Sequence, residues 1–379
     1  MKFLKIIFLN ILFSSTFSLS FIFFQKSKED HDSFWHLNIL NIRKTVEWQN
    51  QGQGVRVAIL DTKITEKPES IDFYQSKFFF LLKFSNLWPK LPEGERFLFN
   101  SQTLEDDCYF SMSMKNNDDF FKKGFKKNHA AFVVSMIRQI APEVEIISIP
   151  IFNDHGVTSI AKFIQGLQQA LQEKIDILYI GLKVDDKHIS SVEKKTILKL
   201  LSQFLYVVAP VGNDGLSSFQ IAFPANSLFF AVGAFEKIND QYLVCNFSQK
   251  NKKNGPCFAM PGKNIGCFLW NDNQKKMMTY FISGTSIAAA AMVGCLALLL
   301  SNGGNNFSQK QFHCIVQKNS ENFFQNEWKN DNVFCCLNIV SALFCIQQLK
   351  KIKIQMNEKK FLKNFKKEVE KIMKNFKQE

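Results

Sequence analysis

The residues of this chain best suited to chemistry are a serine, a histidine and an aspartate that lie far apart in the sequence. Ser286 ends the small-residue run Ser283-Gly284-Thr285-Ser286, which opens directly into Ile287-Ala288-Ala289-Ala290-Ala291-Met292-Val293-Gly294 and the apolar stretch 295–300. At the start of such a helix the unpaired N–H groups and the macrodipole favour negative charge, which suits a hydroxyl attacking a carbonyl. Asp61 ends the β-branched run Val55-Arg56-Val57-Ala58-Ile59-Leu60. That run reads as a buried parallel strand carrying a carboxylate at its C-terminal end. His129 stands at the mouth of an apolar helix, Asn128-His129-Ala130-Ala131-Phe132-Val133-Val134-Ser135-Met136-Ile137. Asp, His and Ser in this order form one of the known chain orders of a nucleophilic triad, in which the imidazole takes the hydroxyl proton. Each residue alone has a plainer explanation: a helix cap, a strand-end carboxylate, a helix-start histidine. The other histidines, His31, His36, His155, His188 and His313, fit no motif.

The elements that must position these groups alternate. From Glu143 the pattern predicts a strand to Phe152, a helix over 158–172, a strand over 175–180, a helix near 192–204 and a strand over 205–209. Alternation of this kind predicts an α/β fold, a doubly wound and mostly parallel sheet with helices on both faces. Sites in such sheets lie at the carboxyl ends of the strands. Asp61 and Asn213 both fall at such ends. The segment 63–127 is rich in Phe and Lys without clear periodicity, and Glu105-Asp106-Asp107, Asp118-Asp119 and Lys126-Lys127 read as surface loop.

With order and flanks considered together, the chain resembles the subtilisin-like serine proteases, the subtilases, from about Trp35 to about Leu343. Val57-Ala58-Ile59-Leu60-Asp61-Thr62 is similar to the family's aspartate strand and Asn128–Val134 to its histidine helix. Ala141-Pro142-Glu143-Val144 resembles the strand that follows that helix. Val207-Val208-Ala209-Pro210-Val211-Gly212-Asn213 resembles the turn that carries an oxyanion-binding asparagine. Phe223-Pro224-Ala225, Ala231-Val232-Gly233-Ala234 and Ala259-Met260-Pro261-Gly262 match further family segments. The approach to the aspartate strand (35–57), Phe132 in place of a second histidine, and Lys174–Leu178 are most similar to the site-one protease group.

The resemblance implies a serine endopeptidase in which Asp61, His129 and Ser286 are catalytic, Asn213 donates to the oxyanion, and Gly181, Leu182 and Lys183 line extended substrate by β-augmentation. It implies polypeptide substrates and no required cofactor. Relatives often carry structural calcium, for which the sequence shows no ligand cluster. Departures from the family pattern include Lys63 and Ala130 in place of glycines, Gly181-Leu182-Lys183-Val184 in place of Ser-Leu-Gly-Gly, and Ala290 in place of a proline. They support an alternative expectation, a catalytically impaired pseudoprotease that keeps the fold to bind peptides or partners.

Length and a 46% hydrophobic content allow one large globular domain. The net charge of +13 raises a nucleic-acid reading, but the basic residues are scattered rather than interleaved with aromatic platforms, so no nucleic-acid partner is expected. Residues 1–20 have the charged start and apolar stretch of a signal peptide or signal anchor, which predicts the secretory pathway, secreted or membrane-anchored. Residues 21–50 form an N-terminal extension, 51–346 the catalytic domain and 347–379 a basic amphipathic helix. The N-terminal segment and that helix are the two candidates for membrane-surface contact. Nine cysteines leave at least one unpaired. Cys245, Cys257 and Cys267 read as disulfide candidates, and Cys295 and Cys345 as core residues.

Overall fold

The computed structural model describes residues 34–45, 50–64, 96–100, 110–111, 113–114, 119–153, 156–185, 188–215, 221–249, 257–271, 276–321 and 334–377. The expected signal segment 1–20 lies outside them.

The main sheet is built on β1 (Arg56–Asp61), β2 (Glu145–Pro150), β3 (Ile177–Ile180), β4 (Tyr206–Pro210) and β5 (Phe230–Ile238). The strands β6 (Gln241–Val244) and β7 (Cys257–Pro261) follow. A separate antiparallel ribbon, β8 (Ile265–Asn271) with β9 (Lys276–Ser283), leads to the serine, and β10 (Ser320–Glu321) and β11 (Phe334–Leu337) complete the main sheet. The spatial order is β10-β11-β7-β5-β4-β3-β1-β2, with β6 paired to β5. All neighbours from β11 to β2 are parallel, and only β6 and β10 run antiparallel. Because β2 lies on one side of β1 and β3 on the other, the winding reverses at β1, and a crevice opens there at the carboxyl ends of the strands.

The helices are α1 (Asp119–Ile140), α2 (Ile160–Gln172), α3 (Ser191–Leu201), α4 (Thr285–Ser301), α5 (Gln309–Lys318), α6 (Ile339–Gln355) and α7 (Glu358–Phe376). Local chemistry sets their starts: Ser159 caps α2, and Ser190 with Glu193 and Ser308 with Gln311 form capping boxes on α3 and α5. Every residue of α4 from Thr285 to Leu300 is buried, as expected of a helix apolar on all sides. Register shows the two faces of the sheet. Leu60 lies against Gly166 of α2, whereas Tyr179, which pairs with Ile59, reaches α4. Helices therefore cover both faces, and the doubly wound α/β architecture is the one the alternation predicts.

Three sequence expectations are corrected. His129 is not at the mouth of its helix: α1 begins at Asp119 and His129 is well inside it. The charged run 119–127 is helical rather than loop, because Lys and Phe tolerate the helix and no proline interrupts it. Cys245, just past β6, and Cys267, on β8, are buried free thiols rather than disulfide partners; the Cys257 side chain is outside the described residues. Cys295 and Cys345 are buried, also free.

Short helices at Trp35–Ile39 and Ile42–Thr45 precede β1. Phe34 stacks on Phe268 at 5.6 Å, and Trp35 meets Phe235 edge-on at 5.6 Å, so this segment is docked on the ribbon and sheet. At the other end, α6 starts at Ile339 and runs through position 346 without a break. Helix α7 buries Phe361, Phe365, Val369, Ile372 and Met373. No helix among the described residues is long and apolar enough to cross a membrane.

Candidate active site

The strand β1 delivers Asp61 to the crevice as a wholly buried carboxylate. Its oxygens both lie 2.7 Å from His129 Nδ1, and Oδ1 also accepts the Thr62 N–H at 2.6 Å. The next turn is tied to α1 as well, since the Thr62 hydroxyl oxygen accepts the Ala130 N–H at 3.0 Å. With Nδ1 on a carboxylate, the neutral imidazole carries its proton there and presents an unprotonated Nε2. His129 is itself 1% exposed, so the pair works in a water-poor setting where electrostatic interactions are strong.

Gly181, just past the end of β3, makes this pairing possible. A Cβ built there would lie 1.9 Å from Asp61 Oδ2 and 2.7 Å from Cγ, so the carboxylate occupies the space of the missing side chain. Leu182 is buried, and the Lys183 ammonium pairs with Asp214. Val184 donates its N–H to Phe223 O at 2.7 Å, and the Phe223–Pro224 peptide is cis.

Ser286 is the second residue of α4 and 7% exposed. Helical geometry leaves its N–H without an intrahelical acceptor. The turn before it is anchored by Gly284, whose N–H donates to Gly262 O at 2.8 Å. Asn213, beyond β4, is held against the same helix start: its Oδ1 accepts the Thr285 N–H at 2.9 Å and the Thr285 hydroxyl at 2.8 Å. A backbone N–H can only donate, so the amide orientation is fixed and the Nδ2 donors turn away from Thr285. Helices α1 and α4 cross in direct contact at Gly294, against Ile137 and Ile140. The structure thus joins Asp61 to His129 and Asn213 to the residue beside Ser286, with the two helices packed together.

Sequence reasoning missed Tyr179. This fully buried ring on β3 donates its hydroxyl to Ser286 O at 3.3 Å. Burial, reinforced by the charge of Asp61, holds the phenol well above its ordinary range, so it stays a neutral donor. A tyrosine inside an apolar strand is the available signal, because a buried phenol needs a partner. Thr62 and Thr285 were visible only as flanks of the motif. Lys63, by contrast, is exposed, and the polar partners of Asp61 are His129 and the Thr62 N–H. Among the described residues no group of three or more His, Cys, Asp or Glu is placed to hold a metal.

Comparison with known proteins agrees with this architecture. Subtilisin DY of Bacillus licheniformis is 26% identical over 170 residues, 43% of this chain and 56% of that protein. The serine protease AprX of Bacillus subtilis (strain 168) is 26% identical over 189 residues, 42% of this chain and 43% of that one. The chain spans about half the length of these curated relatives. Among solved structures, fervidolysin from Fervidobacterium pennivorans, described as a keratinolytic enzyme related to subtilisin, superimposes with a TM-score of 0.54 at 17% identity, covering 82% of this chain and 45% of that one. The prenylagaramide maturation protease PagA gives a TM-score of 0.52 at 21% identity, covering 79% and 97%. At such identities the structures speak for the fold. Residues 52–333, most of the chain, match the subtilase family model, and the chain belongs to that family.

Proposed function

We propose that the protein is a serine endopeptidase that hydrolyses peptide bonds through Asp61, His129 and Ser286. The observation that carries this reading is the buried Asp61–His129 bond at the point where the sheet reverses, beside the helix that carries Ser286 in its first turn. Ser286 Oγ attacks the scissile carbonyl carbon while His129 Nε2 takes its proton, and Asp61 stabilises the resulting imidazolium. The developing oxyanion is met by the Asn213 side-chain amide and the Ser286 N–H. Loss of one such donor typically lowers turnover about a hundred- to a thousandfold. Collapse breaks the C–N bond, His129 returns its proton to the leaving amine, and water repeats the sequence on the acyl-enzyme.

A fluorophosphonate probe should label the wild-type protein and leave Ser286→Ala unlabelled. Equal labelling of both removes the triad. A second reading, peptide binding without cleavage, draws on Lys183, which stands at the expected substrate edge with its ammonium tied to Asp214. It is preferred if folded protein binds a peptide aldehyde yet turns over no member of a peptide library. For the setting of the activity we propose the secretory pathway, on the charged and apolar character of residues 1–20. By likeness to the site-one protease group, the substrates are precursor proteins cut after motifs containing a basic residue. A profile of cleavage sites dominated by apolar residues would exclude that specificity and leave the enzyme reading in place.

A further inference from the structure

The hairpin formed by α6 and α7 has an inner face that the fold accounts for and an outer face that it does not. Phe361, Phe365, Val369, Ile372 and Met373 of α7 are buried, with Phe361 and Phe365 edge-on at 5.6 Å and Phe365 against Phe307 at 6.0 Å. The outer face is a different surface. Residues 350–377 contain eleven lysines against three glutamates, and all eleven lysines are exposed. Of the three acids, Glu358 opens α7 at the turn, while Glu368 and Glu370 lie further along it, Glu370 paired with Lys318 at 2.8 Å.

Two large aliphatic residues break the polar character of that surface, and both flank the connection between the helices. Ile354, in the last turn of α6, is 85% exposed, and Leu362, in the second turn of α7, is 56% exposed. Isolated exposed aliphatics are ordinary. Here they share the tip with Lys351, Lys359, Lys360 and Lys363. This is the composition of an interfacial element, in which aliphatic side chains enter the headgroup boundary while lysine stems lie along it and keep their ammoniums in water.

We infer that the tip of the α6–α7 hairpin docks on an anionic lipid surface, with Ile354 and Leu362 inserted and the surrounding lysines on headgroup phosphates and carboxylates. Nucleic acid is the other polyanion that such a charge could meet. The hairpin contains no arginine, tryptophan or tyrosine; its Phe361 and Phe365 are buried, and the half-buried Phe344 and Phe376 pack on each other at 5.4 Å. It therefore offers neither a bidentate guanidinium for bases nor a stacking platform, whereas exposed aliphatics are of use against lipid. The inference is independent of the catalytic reading, since the hairpin contributes no residue to the site.

The test is sedimentation of the full-length protein with phosphatidylcholine vesicles and with vesicles containing about one third phosphatidylserine, at about 0.1 M salt. The readout is the difference between the two lipids, so that binding by any apolar segment indifferent to charge cancels. Each lysine near such a surface multiplies binding about fivefold. The triple variant Lys359→Gln, Lys360→Gln, Lys363→Gln should lose about a hundredfold of the anionic preference. Ile354→Ser with Leu362→Ser should remove the part of binding that survives raised salt. All five side chains are exposed, so the thermal midpoint and fluorophosphonate labelling should stay as in the wild type. Equal binding to both vesicles, unchanged binding by the variants, or capture of a single-stranded RNA oligonucleotide in place of vesicles would each overturn the inference.

Discussion

Gly181 controls how Asp61 meets His129, through the one side chain it lacks. The Asp61 carboxylate fills the space a Cβ would occupy, 1.9 Å away at Oδ2, while bonding the imidazole at 2.7 Å. Gly181→Ala must therefore displace the carboxylate or the strand. We expect kcat to fall by roughly two to four orders of magnitude, with KM little changed, because an imidazole in the wrong orientation or tautomer impairs only the transition state. Steady-state kinetics with circular dichroism as a folding control will decide it; an unchanged kcat would mean that Asp61 does not orient His129. At this scale the sequence was informative where a motif names a residue and silent where a residue acts through space. Asp61, His129, Ser286 and Asn213 are proposed from their flanks, and the structure pairs Asp61 with His129 and Asn213 with Thr285. The reason for glycine at 181, and the Tyr179 hydroxyl 3.3 Å from Ser286 O, depend on which side chains face each other across neighbouring strands, and no spacing along one chain reveals that.

The central helix α4, which carries Ser286, is buried along its length, and its approach to α1 is set by Gly294. A Cβ at that position would come within 2.8 Å of Ile140 Cβ and 3.2 Å of Ile137 O. Gly294→Val should destabilise the fold by about 1–3 kcal/mol through overpacking, read as a fall in thermal midpoint. It should also reduce fluorophosphonate labelling beyond the loss of folded protein, because the helices it separates carry His129 and Ser286. A midpoint equal to wild type would show that the helices can part without strain. The elements themselves were largely legible, since β-branched runs and 3.6-residue periodicity place β1, β3, α2 and α4 within a few residues. The start of α1 was not. Its first turns are charged, and charge alone suggests loop where backbone propensity allows helix.

Across the whole molecule, acid should loosen the seam between the sheet and the C-terminal helices. His313 on α5 stacks on Phe229 with ring centroids 4.0 Å apart, and burial lowers its pKa to about 4. The unfolded chain therefore binds the proton more readily than the folded one between about pH 6.5 and 4. The stability associated with a neutral His313 is fully present above about pH 6.5 and is lost as the pH falls through that window. Urea midpoints of His313→Phe, which keeps a ring and removes the titration, should show a shallower decline over the same range than the wild type; parallel declines would contradict the assignment. The sheet and its winding were readable from alternation of strands and helices, but a histidine matching no motif gave no hint of its stack.

The packing of α6 against the far end of α4 sets a length. The Lys350 side chain lies over Gly303, and Lys353 Nζ donates to Asn306 O at 2.9 Å, so the last turns of α6 meet the loop that follows Ser301. Ser286, the proposed nucleophile, is at the opposite end of the same helix, which at 1.5 Å per residue is about 25 Å long. Were α4 to stand along the bilayer normal, a protein resting on its hairpin would hold Ser286 about that far beyond the Gly303–Asn306 loop, and α4 would act as a ruler. An extended chain rises about 3.3 Å per residue. A membrane-tethered substrate would then need about eight residues of extended stalk before its scissile bond reached the serine, and bonds nearer the membrane would be spared by geometry rather than by sequence.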